Sequence, residues 1–387
     1  MTGRAADFQN EIYAYGLADQ YPVVSTNAMN LEAAAREAME PGPFGYIAGG
    51  AGNSATDRAN LAAFTRWKIV PRMLTGSTDR QLATTVLGTE MPAPIMVAPV
   101  GVQSLFHPDG ELATARAAAS VGVPMIMSTA SSHTIEEVAE AGGDGPRWFQ
   151  LYRPNDDDVC VSILRRARAA GFSVLVLTLD TWTLAWRPVD LDRAFLPFIR
   201  GIGTAVPFSD PAFLAGLDKP PAEDLGPAVG KWIPMFTGTD RTWADLAFIR
   251  EHWDGPLVLK GIQHVDDARL AEQAGVDGIV LSNHGGRQVD GAIGALEALP
   301  GIVAAVGDRL TVLFDSGIRT GADVFKALAL GARAVCVGRP YAYGLGLAGE
   351  DGVRQVLRGL MADLDLTLGL AGHRSVHDLT PDALHRD

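Results

Sequence analysis

The run TVLFDSGIRTGADVFKALALGARAVCVGRP, Thr311 to Pro340, decides the fold. It opens on a short, continuously apolar stretch that ends at Asp315 in a polar turn containing glycine. A segment with helical spacing of apolar residues follows, GADVFKALALG, and closes on a glycine as a helix C-cap does. A second apolar stretch, AVCV, then ends in Gly338 and Arg339. Neither stretch alternates apolar with polar, which is the pattern of parallel strands covered on both faces. The unit is therefore strand, loop, helix, strand.

The same unit recurs toward the N-terminus. Apolar runs APIMVAP (93–99), VPMIMST (123–129), RWFQLY (147–152), SVLVLTLD (173–180), PLVLKG (256–261) and DGIVLSN (277–283) precede it. TIEEVAEAGG, DDDVCVSILRRARAAG and DDARLAEQAG between them read as amphipathic helices. Eight strands alternating with helices over about 250 residues predict an α/β chain folded as a (β/α)8 TIM barrel. The alternative is a doubly wound open sheet, but no G-x-G-x-x-G fingerprint follows the first strand.

The boundaries follow from this rhythm. The chain reads as one domain over residues 1–387: an N-terminal helical extension over 1–90, a barrel over 91–370 and a tail over 371–387. The extension is expected to cover the bottom or side of the barrel. About 75 residues separate Asp180 from Pro256, far more than divide the other runs. This Pro- and Gly-rich span predicts a long loop over 182–240, after strand four, placed as a lid over the C-terminal face.

Composition excludes several function classes. A net charge of -13 over 387 residues argues against nucleic acid or an anionic membrane as partner. Two distant cysteines, Cys160 and Cys336, form neither a disulfide framework nor a metal site, so no metal is expected. No apolar run reaches the roughly 18 residues of a membrane span. The N-terminus lacks a signal-peptide core, so a cytoplasmic location is expected.

Chemistry in such a barrel sits at the strand C-termini. Ser128, Gln150, Tyr152, Thr178, Asp180, Lys260, Ser282 to Arg287, Asp315 to Arg319, Gly338 and Arg339 all fall there. DSGIRTGAD and GRP, after strands seven and eight, have the glycines and arginines of a phosphate site. That pattern serves isomerases, aldolases and flavin enzymes alike. Lys260, ending an apolar strand, could be a Schiff-base nucleophile, a cation beside an anionic cofactor or a snorkelling structural residue. SNHGGRQVD, Ser282 to Asp290, sets His284 among glycines with Arg287 three residues on, and Asp180 needs a donor such as His284.

LVLKGIQ, SNHGGRQVDG, FDSGIRTGADVFKALALGA and VGRPYAYGL, in this order, closely resemble the FMN-dependent α-hydroxy acid oxidase and dehydrogenase family. NEIYAYGL, YIAGGAG, LDTWTLAWRPVDL and LPFIRGIGT are similar to its lactate 2-monooxygenase branch. The resemblance runs from about Tyr13 to the C-terminus. It implies FMN as cofactor, a small 2-hydroxy acid and O2 as reactants, and a homotetramer or homo-octamer. The activity implied is oxidation of an L-2-hydroxy acid, lactate or a larger relative. The branch it most resembles implies the lactate 2-monooxygenase type, which ends in oxidative decarboxylation to acetate, CO2 and water; the alternative is an oxidase or dehydrogenase type. In the oxidase type, lactate- or mandelate-like, the 2-oxo acid and H2O2 leave.

Carried over position by position, the resemblance makes His284 the base, Asp180 its carboxylate partner and Tyr152 a hydrogen bond to the substrate oxygen. Tyr46 and Arg287 are implied to hold the substrate carboxylate, with Arg187 a second substrate-binding arginine at the mouth of the site. On the cofactor side, Ala98, Pro99 and Val100 are implied to lie beside the flavin ring, with Ser128, Gln150, Thr178, Lys260 and Ser282. Asp315, Gly317, Arg319, Gly338 and Arg339 are implied to hold the ribityl chain and phosphate. Gly101 matches the monooxygenase- and mandelate-type members, and the small Ala130 enlarges the substrate side of the pocket.

Overall fold

Eight short parallel strands close on themselves in the computed structural model, which describes residues 4–238 and 241–387. Residues 1–3, at the start of the expected extension, and 239–240, at the end of the expected lid, lie outside the described residues. The strands are β1 (Ile95–Val97), β2 (Met125–Ser128), β3 (Arg147–Leu151), β4 (Leu175–Thr178), β5 (Leu257–Ile262), β6 (Gly278–Leu281), β7 (Thr311–Phe314) and β8 (Ala334–Val337). β8 pairs in parallel with β1, Val335 opposite Ile95, and this closes the barrel and rules out the open sheet. Ser128, Gln150, Thr178 and Lys260 fall at or near the C-terminal ends of their strands, and Asp180, His284, Asp315 and Arg339 just past theirs, so these residues gather at the C-terminal rim.

Helices α1 (Gly110–Ser120), α2 (Ile135–Gly142), α3 (Asp157–Ala169), α4 (Leu246–His252), α5 (Val265–Gln273), α6 (Ala295–Val306), α7 (Gly321–Ala329) and α8 (Arg339–Leu370) follow the eight strands. Local chemistry starts them. Thr320 and Asp323 form a reciprocal capping box at α7, and the Asp156 side chain accepts from Val159 N at α3. One face of every strand meets these helices. The other fills the barrel with Met96, Ile126, Trp148, Val176, Val258, Val280, Leu313 and Cys336. Both faces are buried, which is why the runs are apolar without alternation. A hairpin of Thr84–Val86 and Thr89–Met91 closes the bottom; Trp148 Nε1 donates to Thr89 Oγ1 at 2.9 Å.

Two expectations need correction. The extension is not confined to the bottom or side. Its helices Pro41–Ala48 and Ala55–Thr65 climb to the C-terminal rim, because they carry Tyr46 to the cavity there and pack on the turn after β6. The span after β4 is not a plain loop. It contains short helices at Pro188–Leu191, Pro197–Arg200, Ala205–Phe208 and Pro211–Leu214, and a longer one at Leu225–Phe236. Proline sits in the first turn of three of them, where its missing N–H costs nothing. At the other end of the chain, Leu384–Arg386 pairs antiparallel with Trp67–Ile69. Among the described residues no helix is long and apolar enough to cross a membrane.

Candidate active site

The turn after β6 holds three consecutive residues at positive φ: His284 (57°), Gly285 (65°) and Gly286 (75°). This curl aims the imidazole back at the loop after β4. His284 Nδ1 lies 2.9 Å from Asp180 Oδ1 and 3.1 Å from Thr181 Oγ1. The Thr181 hydroxyl itself donates to Asp180 Oδ1 at 3.0 Å. A nitrogen facing a carboxylate and the oxygen of a committed donor must carry the proton. Nε2 is thereby left as the basic atom.

Electrostatics agree with that assignment. Burial would raise the Asp180 carboxyl, but the His284 and Lys260 charges and the hydrogen bonds from His284 and Thr181 hold it at about 2. Burial pushes the His284 imidazole below its ordinary value; Asp180 opposes this and Lys260 adds to it. At neutral pH the pair is therefore carboxylate and neutral imidazole. A bulge in β5 makes room for it. Gly261 has φ +111°, and a Cβ there would come within 2.8 Å of Asp180 Cβ.

Two guanidinium groups line the same cavity as the base. Arg287 donates to Gly49 O at 2.6 Å and lies 5.0 Å above the Tyr46 ring. Arg187 is held by Arg287 O at 3.0 Å and Gln288 Oε1 at 2.6 Å. Neither forms an ion pair among the described residues. Burial and the neighbouring Arg187 push Arg287 down to about 9, a measure of how much the position lacks an anion. Tyr152 completes this side, its phenol pushed up to about 12 by burial.

The remaining rim forms a second half of the same cavity. Ala98, Pro99, Val100, Ser128, Lys260, Asp315, Gly317, Arg319, Gly338 and Arg339 line it. Lys260 Nζ lies 3.3 Å from Asp315 Oδ2 and 3.1 Å from Ser282 Oγ; Asp315 and Asp180 outweigh burial and hold the ammonium charged. Gln150 accepts from Ser128 Oγ at 3.0 Å, yet its buried Nε2 has no partner. Arg319 makes no ion pair among the described residues, and burial with the nearby Arg339 lowers its pKa. An unused buried amide donor at one end and an unneutralised arginine at the other fit a polar ring system carrying a phosphate, as FMN does. Arg339 is less free: it binds Asp57 at 3.0 Å, Gly285 O at 2.9 Å and Ile47 O at 3.0 Å.

Of the residues singled out in the sequence, Asp180, Gln150, Thr178 and Ser282 do not line this cavity. Asp180, Gln150 and Ser282 stand behind lining residues; Thr178 lines a separate cavity with Asp180. Sequence reasoning missed Thr181 and Gln288. It also missed an apolar wall that the span after β4 supplies: Phe198, Trp232 and Phe236 stack at 4.8 and 5.6 Å between centroids. The runs FLPFIRG and KWIPMF were the available signal for that wall. Gly101 is close-packed against Ala130, since a Cβ on it would lie 2.8 Å from the alanine methyl.

Comparison with known proteins accords with this geometry. Residues 35–386 match the model of the FMN-dependent dehydrogenase family. The chain is 50% identical to the FMN-dependent alpha-hydroxy acid dehydrogenase qulF of Penicillium citrinum, over 98% of this chain and 95% of that one. It is 42% identical to an L-lactate oxidase of Lysinibacillus sphaericus, over 90% of each. The crystal structure of mandelate oxidase with (S)-4-hydroxymandelic acid superposes with a TM-score of 0.82 at 40% identity, covering 94% of this chain and 99% of that one. The protein belongs to the FMN-dependent dehydrogenase family and is an FMN-dependent oxidoreductase of α-hydroxy acids.

Proposed function

We propose that the enzyme oxidises an L-2-hydroxy acid with a side chain larger than methyl to its 2-oxo acid, with dioxygen as final electron acceptor. The observation that carries this reading is a neutral, carboxylate-backed imidazole and two unpaired arginines lining one cavity. Arg287 and Arg187 bind the substrate carboxylate and relieve their own lack of an anion, with Tyr46 beside them. That anchor brings the 2-hydroxyl toward Nε2 of His284 and the Tyr152 phenol. His284 takes the hydroxyl proton at Nε2, and Asp180 and Thr181 stabilise the imidazolium through Nδ1. FMN, when bound, supplies the acceptor for the two electrons of the substrate Cα–H bond. Lys260, buried and charged, favours negative charge in the ring pocket, while Arg319 and Gly317 suit the phosphate end.

The side chain of the acid meets Ala130, Phe198, Trp232 and Phe236. An aromatic wall with a small residue beside it favours an aryl group over the methyl of lactate. Trp232→Ala should lower kcat/KM for mandelate about 2- to 10-fold relative to lactate. Lactate 2-monooxygenase chemistry is the second reading. It is favoured by the lid, which contributes Leu184, Arg187, Phe198, Trp232 and Phe236 to the cavity and would slow product escape. Turnover of mandelate and of lactate in air, with product analysis, decides between them. Benzoylformate with peroxide supports the first reading, and acetate from lactate the second. If no 2-hydroxy acid bleaches the bound flavin without oxygen, both are wrong.

A further inference from the structure

His284 occupies the left-handed region, which a non-glycine residue enters only at a cost. With Gly285 and Gly286 continuing the same sense, the turn must be held by its neighbours. Ser282 Oγ and Ser316 Oγ on the rim accept from His284 N and Gly285 N, both at 3.1 Å, and a second hold comes from outside the barrel. Asn283, directly before His284, is 4% exposed, and Asn60, on the extension helix Ala55–Thr65, is 0% exposed. Their amides pair reciprocally: Asn60 Nδ2 donates to Asn283 Oδ1 at 2.8 Å, and Asn283 Nδ2 to Asn60 Oδ1 at 2.6 Å.

The rest of the pair is also committed. Asn283 Oδ1 accepts from Gly286 N at 3.1 Å, which ties the turn across its three left-handed residues. Asn283 Nδ2 donates to Ile293 O at 3.2 Å, and Asn60 Oδ1 accepts from Ala295 N at 2.9 Å. Two backbone N–H groups thus fix which way each amide points, and every hydrogen-bonding position of the Asn283 side chain is used. The turn is pressed against the same helix: a Cβ on Gly286 would lie 2.5 Å from Asp57 N. Asn60 itself does not line the cavity.

We propose that Asn60 is a positioning residue. Through Asn283 it holds the turn so that His284 and Arg287 meet the substrate together. This rests on the reading of His284 as base. Loss of Asn60 frees the Asn283 amide that ties the strained turn at Gly286 N, and a misplacement of about 1 Å at reacting groups costs about 10²-fold. An isosteric aspartate gives a sharper signal. When ionised it sets oxygen against Asn283 Oδ1; burial raises its pKa, and the protonated form restores the lost donor.

The test uses the full FMN-loaded chain, with Asn60→Ala, Asn60→Asp, His284→Ala and the double variant Asn60→Ala/His284→Ala. The rate at which mandelate bleaches the flavin anaerobically is read alongside FMN retention and Tm. Asn60→Ala should keep FMN and reduce it about 10²-fold more slowly. Asn60→Asp should be impaired at about pH 8 and regain rate, relative to wild type at the same pH, toward about pH 6. In the His284→Ala background, removing Asn60 should cost less than it does in the wild type, since only the Arg287 contribution is left to lose. A wild-type rate in both Asn60 variants, with only Tm lowered, overturns the proposal while leaving the base assignment intact. Additive losses in the double variant overturn it equally. A wild-type rate in His284→Ala overturns the base assignment and this proposal with it. If Asn60→Ala does not fold, Asn60→Asp carries the test alone.

Discussion

At the residue scale, one nitrogen decides the chemistry. His284 Nδ1 faces two oxygens, so the proton stays there and Nε2 is the base. The imidazole's pKa is depressed by burial, and only its neutral form takes a proton. The base is therefore competent above that depressed value and lost as pH falls through it. We expect the acid limb of kcat/KM to lie below the ordinary histidine value of about 6.5, measured from a pH profile on mandelate. A limb above that value would contradict the buried, Lys260-facing imidazole. SNHGGRQVD was enough to single out His284 and Arg287, because glycines around a base and a cation are unusual. It could not reveal Thr181 or Gln288, whose contributions depend on which side chains the fold sets beside them.

At the element scale, β5 is shaped for its neighbour. Its bulge at Gly261 leaves no room for a Cβ beside Asp180 and has a φ that side chains rarely adopt. Gly261→Ala should displace the Asp180–His284 pair and lower the flavin reduction rate about 10- to 100-fold, with FMN still bound. Stopped-flow reduction checks this, and an unchanged rate would show that the bulge only serves β5. The eight strands were readable because burial on both faces imposes a continuous apolar run. The helices of the span after β4 were not. Most are a single turn held by packing rather than by propensity, so proline and glycine made the span look like a loop.

At the scale of the whole molecule, the extension and the last helix brace the barrel together. Asp365 on α8 accepts from Ala6 N at 2.9 Å and pairs with Arg80, both carboxylate and arginine being largely buried. Asp365→Ala leaves Arg80 without its partner and should cost about 3–5 kcal/mol. Chemical denaturation measures that loss, while kcat per bound FMN should not change because neither residue lines the cavity. A stability equal to wild type would mean the pair contributes nothing net. The same extension reaches the rim with Tyr46, Asp57 and Asn60, so it belongs to the site as well as to the scaffold.

What the sequence determined by itself is periodic or chemical. Apolar runs of strand length specify the barrel because a parallel strand must be covered twice, and polar residues at the run ends specify the rim where chemistry occurs. The motif Ser282–Asp290 singles out a base and a cation, and Asp315–Arg319 a phosphate site, from residue types and spacing alone. Tertiary structure alone decided the rest: Asn60 against Asn283, Thr181 against His284, Gly261 against Asp180, and the Phe198–Trp232–Phe236 wall. Apart from Trp232 and Phe236, i,i+4 neighbours on one helix, each of these joins segments distant in sequence. The energy that sets them depends on distance and burial in space, which no local pattern of residues encodes.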